Sequence, residues 1–246
     1  MYTPSPRSPH VRNAQRVLWL DLEMTQVEDI RKGRIMEVAC LVSEPSWDPV
    51  PESAFHRIVH LDDKDLQSLS EWSLDHHRRP RRRNAYISES QSLVDLCKTS
   101  PYQIEDIDHQ LARHLHQFAD GPNMVLGGSS VHVDLAFVRL YMPLTAKYLH
   151  TYRIIDVSTL LETARRMYPG VDTVLPRPRT THEAMDDACS SLELMRTLCQ
   201  RVFVPILPIQ ISPQQSTCIP RQTTSAISYV RVPGHHTHDI HANYRK

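Results

Sequence analysis

WLDLEM, residues Trp19 to Met24, is the stretch on which the reading of the whole chain turns. The run Val17-Leu18-Trp19-Leu20-Asp21-Leu22 is apolar and rich in strand-forming residues, and along a strand residues two apart project to one face. Asp21 and Glu23 then point the same way. Two ionised carboxylates side by side at the end of a buried strand repel each other and lose hydration unless a positive charge lies between them. A divalent metal meets that need. A strand running out into solvent with two ordinary surface acids also fits, because D-x-E is short and common. Companions elsewhere in the chain must decide.

Composition limits what those companions can be. A chain of 246 residues with 40% hydrophobic content is long enough for one well-buried domain with tails. No apolar run approaches the ~20 residues that span a bilayer, and the opening MYTPSPRSPH lacks the apolar core of a secretory signal. The expectation is a soluble intracellular protein with no membrane partner, cytoplasmic unless the acid-free opening residues act as a mitochondrial targeting segment. Cys40, Cys97, Cys189, Cys199 and Cys218 are odd in number and contain no CxxC pair, which points to neither a disulfide framework nor a zinc cluster. Lys plus Arg equals Asp plus Glu at 28 each, so no bulk positive field exists to hold long duplex nucleic acid. A nucleic-acid substrate would be short or gripped locally.

Three pieces separate along the chain. Residues 1–15 are Pro/Ser/Arg-rich and read as a disordered arm; residues 16–202 look globular; residues 203–246 carry too many prolines for helices or central strands and read as a largely unstructured tail. The tail's HHTHDIH run reads as solvated histidines, since no packed scaffold orients them. Within the globular piece, strands are expected at 17–22, 35–43 and 54–60, which would make an antiparallel meander. Helical patterns follow near 65–74 and 103–118, then a strand at 123–128, helices near 133–141 and 157–168 around a strand at 153–156, and a closing helix at 182–200. The fold class is therefore α/β: a mixed sheet, meander plus parallel strands, flanked by helices. Loop ends at one edge of such a sheet are where sites collect.

Further acids fall at those ends. Asp134 follows the turn Gly127-Gly128-Ser129-Ser130 where a helix starts, either reaching the sheet edge near the first strand or acting as a helix N-terminal acid favoured by the macrodipole. Around THEAMDDACSSLELM, residues 181–195, Thr180 and Glu183 make a possible capping box, and Ala184, Ala188, Leu192, Met195 and Cys199 define an apolar stripe. At ~100° per residue Asp186 points away from that stripe, whereas Asp187 sits on its flank and can face a buried site. His182 is expected in the helix's first turn.

Asp-Leu-Glu on the first strand, an Asp after a strand and turn, and H-x-A-x-x-D on the last helix resemble the DEDDh-type 3′→5′ exonucleases of the ribonuclease H-like superfamily. WLDLEMT, IMEVACLVSE, SSVHVDLAFVRLYMP, YRIIDVSTLLETARRMYP and HEAMDDACSSLELM are similar in order and spacing to the oligoribonucleases, over about residues 16 to 200. The resemblance implies a ribonuclease H-like fold, with Asp21, Glu23, Asp134 and Asp187 as ligands of two Mg²⁺ or Mn²⁺ ions and His182 as general base. It implies hydrolysis of short single-stranded RNA from the 3′ end to nucleoside 5′-monophosphates, by a homodimer. Tyr152 and Arg153 would enter from the other subunit, with Ser158 and Thr159 near the terminal phosphate and Ser130 and Trp72 at further substrate positions.

Each substrate residue also has an ordinary reading: Trp72 as core, Tyr152 and Arg153 as a strand-edge pair, Ser158 and Thr159 as a helix cap. The chain departs from the family at Gln26-Val27, where Gly-Leu is usual; at Ser129, where Asn is common; at Thr151, which reads as an insertion; and in the basic run HHRRPRRR, residues 76–83. Two readings from other classes remain: a catalytically impaired oligonucleotide-binding relative, and an adaptor whose Pro-rich tail binds partners.

Overall fold

The computed structural model describes residues 15–81, 91–119, 123–175 and 182–203. Apart from Gln15 and Phe203, the arm and tail expected from the sequence lie outside the described residues, as do Arg82, Arg83, Thr180 and Cys218.

Five strands form one sheet in the order β3-β2-β1-β4-β5, where β1 is Val17–Met24, β2 Ile35–Ser43, β3 Phe55–Ile58, β4 Met124–Gly128 and β5 Leu149–Asp156. The β1–β2 and β2–β3 pairs are antiparallel, and β1–β4 and β4–β5 are parallel. This is the expected meander followed by parallel additions, with β1 in the middle. Alternation along β1 divides the core into two layers. Leu18, Leu20 and Leu22 join a cluster with Ile107, Leu111 and Leu115 of α4 (Ile104–Leu115) and Phe137 and Val138 of α5 (His132–Tyr141). Val17 and Trp19 face the other way, against Val157 of α7 (Val157–Met167) and Ala188, Leu192 and Met195 of α8 (Ala184–Arg201). Burying a side chain of Leu size contributes roughly 1.5–3 kcal/mol, so both sheet faces are firmly held.

The face matters more than the energy. Asp21 and Glu23 share the parity of Val17 and Trp19, so they lie on the α8 side, beyond the point where Trp19 pairs with Gly127 of β4. Gly127 and Gly128 permit that close approach. A Cβ on Gly127 would lie 2.9 Å from Trp19 Cε3 and Val17 Cγ1, and one on Gly128 would lie 2.7 Å from the Leu20 carbonyl oxygen.

Several boundaries differ from expectation. The pattern near 65–74 is two short helices, α1 (Asp63–Leu66) and α2 (Glu71–His77). The break comes where Ser68 Oγ donates to the Asp65 carbonyl and reaches Thr25 Oγ1, and where Ser70 Oγ caps α2 by accepting from Ser73 N at 3.1 Å. Two further short helices, α3 (Leu93–Thr99) and α6 (Pro143–Ala146), were not anticipated. α8 starts at Ala184 with Glu183 as N-cap in extended backbone and no side-chain cap bond. His182 therefore precedes the helix instead of occupying its first turn, and its φ is 52°. No helix among the described residues is long and apolar enough to cross a membrane.

Candidate active site

Three carboxylates meet on the α8 face of the sheet: oxygens of Asp21, Glu23 and Asp187 all lie within 4.8 Å of one another. β1 delivers the first two by its two-residue period, and α8 delivers Asp187 one position before Ala188, which packs on the same sheet face. Asp134 enters from the first turn of α5. It is buried, and its Oδ1 accepts from Leu22 N at 2.9 Å, so it is tied to β1 from the flank and stands outside the tight three-acid group.

Crowding shows in the protonation of these groups. Burial, then the neighbouring Asp134, Glu23 and Asp187, raises the Asp21 carboxyl well above its ordinary range. Burial and Glu37 do the same to Glu23, with Arg81 opposing. Burial pushes Asp134 up to about 7, although the Leu22 amide bond holds it down.

His182 belongs to an aromatic group with Trp72 and His76. Its ring meets Trp72 edge-on at 5.2 Å between centroids and His76 at 4.7 Å, while Trp72 stacks on His76 at 4.0 Å. Trp72 is half exposed and is not core. Burial, with His76 and Arg79 nearby, lowers the His182 pKa, which favours the neutral imidazole.

The hydroxyl residues collect where β4 and β5 end. Ser130 N donates to Ser158 Oγ at 2.9 Å and to Asp156 Oδ1 at 3.1 Å, and Ser129 Oγ is 2.8 Å from Ser158 Oγ. Asp156, not Ser158 or Thr159, caps α7, accepting from the backbone amides of Ser158 at 3.0 Å and Thr159 at 3.4 Å. Tyr152 and Arg153 stand apart from this group, exposed on β5, with the guanidinium 5.9 Å from the tyrosine ring centre.

Sequence reasoning missed Glu37, His77 and Arg81. Glu37 pairs directly across the strands from Glu23, and Arg81 grips it with a two-pronged bond of 2.7 and 2.6 Å. Burial alone would raise the Glu37 pKa, but hydrogen bonds from His56 and Arg81 pull it down to about 2. His77 is buried with Nε2 3.6 Å from Glu23 Oε2 and no hydrogen-bond partner among the described residues. A lone acid inside IMEVACLVS was the available signal for Glu37; nothing local marked the other two.

Residues 18–195 match the RNase_T exonuclease family. The chain is 34% identical to a probable oligoribonuclease of Drosophila melanogaster, over 72% of this chain and 77% of the relative. It is 33% identical to the mitochondrial oligoribonuclease of Homo sapiens, over 77% of this chain and 74% of the relative. Its fold is similar to that of E. coli exonuclease I solved with an oligonucleotide, at a TM-score of 0.53 and 12% identity, covering 76% of this chain and 41% of that one. A ribonuclease H-like sheet with carboxylates gathered on its α8 face, together with these matches, places the chain in the RNase_T exonuclease family, on its oligoribonuclease branch.

Proposed function

We propose that this nuclease is a 3′→5′ exoribonuclease that hydrolyses short single-stranded RNA to nucleoside 5′-monophosphates, using divalent metal held by Asp21, Glu23, Asp187 and Asp134. The observation that carries the reading is the convergence of Asp21, Glu23 and Asp187. Side-chain oxygens are the donors there, which suits hard Mg²⁺ or Mn²⁺, and the raised pKa values of Asp21 and Glu23 reflect burial first and then neighbouring like charges, which a cation would offset. When bound, two such ions supply Lewis acidity that activates water and offsets charge on the departing 3′ oxygen.

The chain's own residues supply the rest. His182 accepts the water proton as a neutral base at physiological pH, a role that its lowered pKa supports. The exposed face of Trp72 offers a surface on which a base stacks. Ser130, Ser158 and Thr159 donate hydroxyl or amide hydrogens to the terminal phosphate of a short strand, which sets a length limit. Tyr152 and Arg153 complete the site of a second subunit in a homodimer. The names of the mammalian relatives include "mitochondrial", which supports that compartment, with the cytoplasm as the other assignment.

End-labelled RNA of two to ten nucleotides tests the reading. A product ladder shortening from the 3′ end with Mg²⁺ or Mn²⁺, absent with EDTA and absent for Asp21→Asn, is the expected result. Binding without cleavage under every metal condition would instead identify an oligonucleotide-binding relative.

A further inference from the structure

Glu23 and Glu37 face each other across β1 and β2, and like charges directly opposed on one sheet face are destabilising. Arg81 answers that. It is buried, and its two terminal nitrogens meet the two Glu37 oxygens in the planar fork that only a guanidinium provides. The same Nη2 also donates to the carbonyl of His182 at 2.8 Å. One residue beyond Glu183, the amide of Ala184 approaches Glu37 Oε2 at 3.4 Å. The Arg81–Glu37 pair therefore holds the chain on both sides of the α8 N-cap. His182 needs such a hold, since a φ of 52° is one that a residue with a Cβ keeps only when its surroundings over-determine it.

We propose that Arg81 is a positioning residue, fixing the backbone of His182 to the sheet so that its imidazole is held for proton transfer. The inference rests on the reading of His182 as general base. Arg81 lies in the basic run 76–83 and is buried, unlike the exposed Arg78 and Arg79 of the same run. A lysine in place of Arg81 keeps the charge but cannot grip both Glu37 oxygens and the carbonyl in one plane.

The test compares Glu37→Gln, which keeps the Arg81 donor to His182, with the double variant Glu37→Gln/Arg81→Met, which removes that donor together with its Glu37 counter-charge. Relative to Glu37→Gln, the double variant should keep KM for a short RNA within about threefold and lose about 10²-fold in kcat, the scale of a ~1 Å misplacement of a reacting group. Its His182 ring resonance, followed by NMR, should shift. Arg81→Lys should show the same two changes to a smaller extent, and it carries the test if the double variant does not fold. Equal kcat in the single and double variants, a loss carried by KM, or an unmoved His182 resonance would each overturn the proposal. Absence of RNA cleavage by the parent protein overturns the nuclease reading instead, and the His182 resonance still decides whether Arg81 sets that residue's position.

Discussion

His182 and Asp134 make opposite demands on protons, and each can be read out alone. Burial and the nearby His76 and Arg79 lower the His182 pKa, and the proposed role as general base has it accept a proton during the reaction without adding to ground-state binding. His182→Ala should cost about 10²–10⁴-fold in kcat with oligonucleotide binding retained, because proton transfer contributes only in the transition state. Loss of binding in step with activity would make it a substrate-holding residue. Asp134 starts from an ordinary value of 3.8 and is raised to about 7 by burial. A group raised in the folded state contributes stability that is whole below the unfolded value and is lost as pH climbs through the folded one. That window runs from about pH 4 to about pH 7. Asp134→Asn keeps an acceptor for Leu22 N but cannot ionise. In EDTA it should melt higher than the parent at pH 8, and the advantage should shrink towards pH 4. With Mg²⁺ at pH 8 the order should narrow or reverse, because the ionised parent gains more from the metal. A difference in Tm that is flat across pH would remove the buried-acid account.

On the scale of elements, α8 makes the sharpest demand, because it presents two adjacent aspartates about 100° apart. Asp187 joins Asp21 and Glu23, whereas Asp186 is exposed. Asp187→Asn should therefore lower turnover by orders of magnitude, and Asp186→Asn should leave it within about threefold, as surface substitutions do. A larger loss at Asp186, measured on folded proteins, would mean that the helix sits in another phase. That phase was legible in the sequence because Ala188, Leu192 and Met195 mark one face by period alone, as the alternation of Trp19, Asp21 and Glu23 marks another. Boundaries were less legible. Ser68 and Ser70 end one helix and begin the next through hydrogen bonds to Thr25 and Ser73, and only the first of these partners is remote in sequence. Arg81 and His77 were illegible for a stronger reason. Their partners lie 44 and 54 residues away, on strands, and a basic run reads as a solvated surface until the fold brings Glu37 beneath it. β5 also carries an irregularity that sequence patterning did not show: His150 to Arg153 lie opposite the single Val125 of β4, between the pairs Met124↔Leu149 and Leu126↔Ile154.

For the molecule as a whole, that bulge bears on whether one chain suffices. Tyr152 sits near the level of Val125, three residues and so ~10 Å short of the edge where β4 ends, and β5 lies two strands, ~10 Å, from β1. Its side chain is 77% exposed and directed away from any core cluster. Those two offsets separate Tyr152 from the carboxylates of its own sheet, which favours the proposal that it acts in the site of a second copy of the chain. The expected outcome is complementation. Asp21→Ala and Tyr152→Ala homodimers should each be inactive if both residues are needed. In a mixed dimer, the Tyr152→Ala subunit supplies intact carboxylates and the Asp21→Ala subunit donates its tyrosine, which restores one site of two. Random exchange makes half the dimers mixed, so activity should return to about a quarter of the parent level in a two-fold assembly. Native mass spectrometry with distinct tags verifies the exchange. Exchange without recovered cleavage would leave Tyr152 outside any composite site, and the acids of β1 and α8 would then have to act with residues of their own chain alone.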